Sequence, residues 1–371
     1  MELYIHIPYC RRKCAYCDFL SFAGCENLQK DYAAALFRDI ESRGGILSGR
    51  PRVETIYIGG GTPSLMYEGF YEELMRRVRE SFDVADTAEI SIECNPGTAT
   101  RKKLSEYRRC GINRISFGAQ SAKDPELESL GRIHRFEDVR ETVAMAREAG
   151  FDNINIDLMM NLPGQTQDSF LESLKAVIDL NPEHISAYSL ILEPGTAFYE
   201  RYESRPDLLP DEEESCRTYE SAVKFLSDCG YRQYEISNFA REGRECRHNI
   251  GYWKREEYLG VGLGAASLIG SRRYAVTGDL SEYLEKCRYA STEELSETDV
   301  INETIMLGLR MNEGIGISEF QSRFGRDAEE NFSDRMKKYV EAGLAGFSED
   351  RIFLKVKGLL VSNSILSDVM I

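Results

Sequence analysis

The sequence contains no run of apolar residues long enough to cross a bilayer, which argues against a membrane-spanning helix. Nor does a basic stretch follow the first methionine. Met1-Glu2-Leu3-Tyr4 reads as the start of a strand, so no export signal is expected and the expected location is cytoplasmic. Positive charge is scarce as well: 46 Lys and Arg stand against 62 Asp and Glu, a formal net charge of −16. Such a field repels nucleic-acid phosphates, and nucleic acid is not expected as a partner. Arg11, Arg12 and Lys13 form only a small basic patch, enough to rim an anionic small molecule. There are four histidines and one tryptophan, so any pattern that gathers them is informative. Ten cysteines occur without the regular spacing of a disulfide framework, and reduced thiols, some of them metal ligands, are expected.

What is present begins with three of those cysteines. Cys10, Cys14 and Cys17 follow a C-x3-C-x2-C spacing directly after a strand-like run at residues 3–7. Three soft thiolates on one short loop suit a [4Fe–4S] cluster and leave one iron without a protein ligand. Two other readings of the spacing stay open. One is tetrahedral zinc with Cys25 or His6 as fourth ligand, and the other is a set of unliganded thiols.

Over the first two thirds, short β-branched or aromatic runs alternate with amphipathic stretches. The spacing predicts strands at 3–7, 54–58, 89–94, 114–118, 153–158 and 184–192. Helices are expected at 27–43, 67–80, 100–109, 136–149 and 168–180. This alternation predicts an α/β fold, a partial (β/α)6 TIM-like barrel of parallel strands with crossover helices. Residues 231–297 read as a β-rich extension, with alternation over 231–239 and a hairpin over 268–276. Residues 298–371 read as a small C-terminal helical or winged domain, with helices at 300–309 and 329–342 and strands near 346–355. The expected division is thus 1–230, 231–297 and 298–371.

Polar residues recur late in the barrel strands, where such a fold places its site. Gly60, Gly61 and Thr62 follow the second strand, in a run that lets a ligand approach the backbone or that simply makes a tight turn. Glu93 lies near the end of the third strand, Gln120 follows the fourth, Asp157 lies near the end of the fifth, and Arg132 precedes a helix. Groups of this kind on one rim are costly unless they bind something. Farther on, Cys246, His248, Asn249, Tyr252 and Trp253 lie within eight residues. A thiol and an imidazole beside two large aromatics suit haem. The same residues equally suit a loop that packs Trp253 on the barrel, with Asn249 capping a turn.

Taken together, Tyr4-Ile5-His6-Ile7-Pro8, the cysteine triplet, Gly59–Pro63, Ser91-Ile92-Glu93, Ser116–Gln120, Asn155–Leu158 and Leu162–Thr166 resemble the radical S-adenosylmethionine (SAM) enzymes. The resemblance covers nearly the whole chain. It is strongest to the branch that holds oxygen-independent coproporphyrinogen III oxidase and its haem-chaperone relatives. It implies that Cys10, Cys14 and Cys17 hold a [4Fe–4S] cluster and that SAM occupies the open iron. Gly60, Gly61 and Thr62 would line its methionine end, and Tyr4, Tyr16, Glu93, Gln120, Arg132 and Asp157 would contact the rest. The decarboxylating oxidase carries a fourth cysteine where this chain has Phe19. The haem-chaperone side has Phe there and a His-Asn-x-x-Tyr-Trp motif, matched by His248, Asn249, Tyr252 and Trp253. His248 is then the favoured haem contact, with Cys246 second; a histidine many relatives carry farther on aligns with Ala266. The function implied is haem binding and delivery to haem-accepting proteins, with an electron donor and with peripheral contact to membrane haemoproteins. The alternatives are oxidative decarboxylation of coproporphyrinogen III and a zinc-stabilised binding module.

Overall fold

The structure is a computed structural model, and it describes residues 1–46 and 50–370. Six strands follow the expected alternation: β1 (Glu2–Ile7), β2 (Arg52–Gly60), β3 (Asp83–Cys94), β4 (Arg114–Gln120), β5 (Ile154–Met160) and β6 (His184–Ser189). They neighbour one another in chain order and are all parallel. Between them run the crossover helices α1 (Gln29–Ile46), α2 (Phe70–Ser81), α3 (Arg101–Arg109), α4 (Phe136–Glu148) and α5 (Gln167–Ile178).

The strand period divides β1 between two environments. Leu3, Ile5 and Ile7 are fully buried in the main hydrophobic core, which they share with Leu36 and Ile40 of α1 and Leu74 and Val78 of α2. Glu2, Tyr4 and His6 alternate with them and carry the polar chemistry of the opposite face. Threonines start two of the helices: Thr100 accepts from the Lys103 N–H at 3.3 Å and Thr166 from the Ser169 N–H at 3.2 Å.

The sheet extends beyond the six strands. Past β6 lie β7 (Arg232–Gln233) and β8 (Asn238–Ala240), both antiparallel. The expected alternation over 231–239 is interrupted by a turn, in which the Asn238 N–H returns to the Glu235 carbonyl. On the other side of β1, β9 (Tyr258–Val261) adds a seventh parallel strand, where six were expected. The hairpin expected over 268–276 is present as β10 (Ala266–Ile269) and β11 (Arg272–Val276), turning at Gly270 with φ +60°, and β12 (Tyr289–Glu294) follows. The twelve strands run from β12 to β7, and among the described residues those edges do not pair, so the barrel is partial.

Three helices, Glu297–Gly308, Ile317–Phe324 and Arg326–Glu341, then pack with a three-stranded antiparallel sheet. They bury a cluster of their own that includes Ile305, Leu309, Phe332, Met336 and Leu354. Among the described residues no helix is long and apolar enough to cross a membrane.

Candidate functional site

Residues 10–17 form a loop off the C-terminal end of β1, fastened from several directions. The Cys17 N–H turns back to the Cys14 carbonyl at 3.2 Å. The Ala15 N–H donates to the Leu130 carbonyl at 3.0 Å, and the Ala15 carbonyl accepts from the Phe198 N–H at 2.8 Å. Gly131, at φ +76°, would set a Cβ 3.5 Å from the Ala15 nitrogen, so this backbone comes close against the cysteine loop.

All three cysteines are free and partly exposed, and all line one cleft of about 360 Å³. The same cleft is lined by Tyr16, Gly60, Gly61, Thr62, Glu93, Gln120, Arg132 and Asp157. Residues from the ends of β2, β3, β4 and β5 and from two loops therefore line one cleft. Tyr4 does not join them. It is on the inner face of β1, where its hydroxyl meets His6 Nδ1 at 3.0 Å and its ring stacks on Tyr57 with centroids 6.5 Å apart. Tyr4 is therefore not among the residues that line the cleft.

Two sulfurs receive hydrogen bonds from the cleft wall. The Thr62 hydroxyl points at Cys10 Sγ (3.6 Å) and Arg132 Nη1 at Cys14 Sγ (3.5 Å). The second Arg132 nitrogen donates to Asn95 Oδ1 (2.7 Å) and the Gly118 carbonyl (2.6 Å), so one half-buried guanidinium ties the cysteine loop to the cleft floor. Donors aimed at sulfur suit thiolates, and burial is a common tuning device for clusters. The donor set therefore fits a cluster held by three cysteines.

Below the rim, Glu93 accepts from the Tyr57 hydroxyl (2.9 Å) and the Gly60 N–H (3.1 Å). Burial and then the nearby Asp157 push its carboxyl up to about 7. Asp157 accepts from Asn155 Nδ2 (2.7 Å) and the Ser116 hydroxyl (3.3 Å), and burial raises its pKa too. Gln120 adopts φ +70°, where the register of β4 shifts against β5, and accepts from the Tyr188 hydroxyl at 2.8 Å. A non-glycine residue in that region costs about 1–3 kcal/mol and recurs at ligand clamps. Gly60 and Gly61 serve packing as well as the cleft. A Cβ on Gly60 would fall 2.5 Å from the His6 ring, and one on Gly61 would fall 2.7 Å from the Tyr9 carbonyl.

Both side chains considered as a fourth zinc ligand are turned to other partners. His6 uses Nδ1 for Tyr4 and Nε2 for the Leu20 carbonyl at 2.8 Å, and the Cys25 thiol is directed at the Ala23 carbonyl. Among the described residues no three His, Cys, Asp or Glu side chains gather around a single-ion position.

The Cys246–Trp253 motif lies at the opposite end of the barrel. It forms a short helix, Arg247–Trp253, that stoppers the barrel at the level of Glu2 of β1, Thr55 of β2 and Glu89 of β3. Glu89 of β3 accepts from the Arg247 N–H (3.2 Å), the His248 N–H (3.3 Å) and the Cys246 thiol (3.5 Å). His248 is 1% exposed; Nδ1 pairs with the Thr55 hydroxyl (2.8 Å), Nε2 with the Tyr252 hydroxyl (3.1 Å), and the ring stacks on Tyr57. Burial, and then the Arg114 charge, lower its pKa to about 3. Cys246 is fully buried, and burial pushes its thiol up to about 12. Asn249 and Tyr252 are half-buried on the same helix, and Trp253 is half-buried beneath the Arg310 guanidinium. Both ring nitrogens of His248 are thus engaged within the protein, and neither His248 nor Cys246 is among the residues that line the cleft.

The sequence pattern missed Asn95, Ser116 and Tyr188, which also line the cleft. Tyr188 is the penultimate residue of β6, so the same strand-end signal that marks Glu93 and Asp157 applies to it. Asn95 directly follows β3. The fully buried Arg114 at the start of β4 was missed as well, and nothing in its local pattern marks it.

Comparisons with known proteins agree with this arrangement. Residues 4–177 match the Radical SAM superfamily and residues 295–361 match the HemN C-terminal domain. The "Heme chaperone HemW" of Bacillus subtilis is 36% identical over 368 residues, 98% of this chain and 97% of that protein. The chain belongs to the radical SAM superfamily, in its HemW family. The HemW of Lactococcus lactis is 32% identical over 99% of this chain and 97% of its own length. That of Escherichia coli is 41% identical over 71% and 69%. Among solved structures, coproporphyrinogen III oxidase (HemN) from Escherichia coli, titled a radical SAM enzyme, superposes with a TM-score of 0.86 at 26% identity, covering 100% of this chain and 89% of that one. The partial barrel with its small C-terminal helical domain is thus the radical SAM fold of that oxidase and of HemW.

Proposed function

We propose that this chain is a cytoplasmic haem chaperone, which holds a [4Fe–4S] cluster on Cys10, Cys14 and Cys17, binds SAM in the adjoining cleft, and delivers haem to acceptor proteins. The observation that carries the reading is the cleft itself: three free thiols on one rim, two of them receiving hydrogen bonds, above Glu93, Gln120, Arg132 and Asp157. Kinship with HemW supports the haem assignment. When bound, the cluster and SAM supply one-electron chemistry. Arg132 orients the loop and adds positive charge beside Cys14. Glu93, with a pKa of about 7, is placed to hold or release a proton beneath a ligand, and Gln120 and Tyr188 fix the opposite wall. The working division is 1–230 for cluster and SAM, 231–297 for the extension and barrel stopper, and 298–371 for the C-terminal domain.

With His248 engaged elsewhere, the cleft mouth is the haem surface this reading favours. Phe19 (66% exposed) and Ile191 (67%) are large apolar groups lining the cleft. Arg12 and Lys13 beside them suit propionate carboxylates. Phe19 also occupies the place of the oxidase's fourth cysteine, which weighs against decarboxylation. The test pairs two assays on anaerobically reconstituted protein. Haem titration is expected to give a saturable Soret band that Phe19→Asp with Ile191→Asp weakens and that His248→Ala leaves in place. Coproporphyrinogen III is expected to remain unconverted. Conversion would establish the oxidase reading, and a Soret band lost only in His248→Ala would return haem to the barrel stopper.

A further inference from the structure

The Cys246 motif touches no part of the cleft, yet a chain of buried side chains joins the two. Ser116 of β4, Asn155 of β5 and His184 of β6 are direct neighbours in the sheet register and form one polar rung across three strands. Asp157 lies two residues beyond Asn155, where it lines the cleft, and Tyr234 follows β7. Asn155 and Tyr234 are buried, and His184 is 0% exposed. Polar side chains so placed are costly unless their donors meet acceptors.

Along this chain they do, and all in one direction. The Cys246 N–H donates to the Tyr234 hydroxyl oxygen at 3.2 Å. A backbone N–H can only donate, so the single Tyr234 proton goes on to His184 Nε2, 2.8 Å away. With Nε2 accepting, the neutral imidazole carries its proton on Nδ1 and donates it to Asn155 Oδ1 at 2.6 Å. Burial, and then the Arg114 charge, keep His184 neutral, as this requires. The Asn155 amide nitrogen in turn donates to Asp157 Oδ1 (2.7 Å) and to the Ser116 hydroxyl oxygen (2.8 Å). Ser116 passes its own proton to Asp157 Oδ2 at 3.3 Å. The far end dictates the same direction, because turning Asn155 over would aim its oxygen at a carboxylate.

We infer that His184 and Tyr234 are positioning residues for the cleft: through Asn155 they carry one hydrogen-bond direction from the backbone of the Cys246 motif to Asp157, and fix both of its oxygens as acceptors. Asp157 thus meets a ligand with its carboxylate already oriented, and the motif takes part in the cleft without lining it. The effect on ligand binding rests on the reading of the cleft as a SAM site, whereas the direction of the chain does not.

The test has a spectroscopic and a binding arm. Nitrogen NMR of the full-length chain labelled at its four histidines is expected to show His184, assigned by the signals lost in His184→Gln, as the tautomer protonated on Nδ1 with Nε2 bare. A proton on Nε2 overturns the inference. On anaerobically reconstituted protein, calorimetric titration with SAM is expected to show affinity about three- to tenfold weaker in Tyr234→Phe and in His184→Leu, the worth of about one hydrogen bond. His184→Gln, which keeps a donor and an acceptor, is expected to recover part of the loss. In an Asp157→Asn background Tyr234→Phe is expected to change nothing further, since its effect runs through that carboxylate. Thermal unfolding checks that each variant is folded, and either single variant suffices. An equal loss in the Asp157→Asn background overturns the inference, because general loosening of the barrel would give it. If the parent binds SAM and both variants match it, the positioning role alone falls. If the parent itself binds no SAM, the SAM reading fails and the positioning role falls with it.

Discussion

Replacing Gly251 with alanine sets helix propensity against packing, and the structure predicts which wins. Gly251 lies inside the helix Arg247–Trp253, where alanine ordinarily stabilises by about 1 kcal/mol. Here a Cβ would fall 1.7 Å from Glu2 Oε1 and 2.3 Å from its carboxyl carbon. Glu2 is 2% exposed, and burial together with Glu256 and Glu89 raises its carboxyl to about 9, against the opposing pull of the N-terminus and Thr55. Either the buried Glu2 carboxyl swings aside or the helix lifts. Lifting stretches the His248–Thr55 bond (2.8 Å) and the two backbone bonds to Glu89 (3.2 and 3.3 Å). Three hydrogen bonds at about 1 kcal/mol each, or overpacking at about 1–3 kcal/mol, exceed the propensity gain. The expected net loss is up to about 2 kcal/mol, read as a thermal midpoint a few degrees lower and an earlier urea midpoint. Adding Glu2→Ala removes the obstruction, so the double variant is expected to be more stable than Gly251→Ala alone. A Gly251→Ala protein as stable as the parent, or more so, would refute the stopper reading of the His248 motif.

Anaerobic reconstitution is expected to yield about four irons per chain, measured by iron assay and broad visible absorption, with both lost in Cys14→Ser. Arg132→Met removes a cation and a donor from Cys14 Sγ, and potentiometry is expected to show a cluster potential more negative by roughly tens of millivolts. Glu235 is fully buried, and burial raises its carboxyl from 4.5 to about 7. Its folded form therefore binds a proton more tightly than its unfolded form, and the stability it contributes at low pH is lost as pH rises from 4.5 to 7. Urea midpoints of Glu235→Gln against the parent at pH 5 and 7.5 are expected to diverge by up to about 3 kcal/mol, the parent losing more. Buried His184 and His248, whose pKa values are lowered, act in the opposite sense and cancel in that difference.

The barrel was legible because period-2 strands and amphipathic helices alternate in order. β2 was expected at 54–58 and spans Arg52–Gly60, and β5 was expected at 153–158 and spans Ile154–Met160. The cleft was legible because its residues come late in strands, a positional rule that requires no knowledge of side-chain contacts. β9 escaped because Tyr258-Leu259-Gly260-Val261 is short, runs into glycines, and gains its pairing from β1 some 250 residues away. The placement of Tyr4 and His248 escaped for another reason. Their residue types fit a ligand site, and only tertiary burial shows that their polar atoms satisfy one another or the barrel wall. Alternation did hint at it for Tyr4, which shares a face with Glu2 and His6 rather than with Leu3 and Ile5.

The fastening of the cysteine loop has a consequence for how the protein is made. Its thiols are synthesised well before the partners that hold Ala15: the Leu130 carbonyl and the Phe198 N–H come more than a hundred residues later. At roughly 5–20 residues per second, about 10–40 s pass between synthesis of the thiols and arrival of Phe198. Throughout that interval Cys10, Cys14 and Cys17 belong to an unfinished chain. Under the proposed function, cluster loading is therefore a late event in the life of the polypeptide, and the thiols need a reducing surrounding until it occurs.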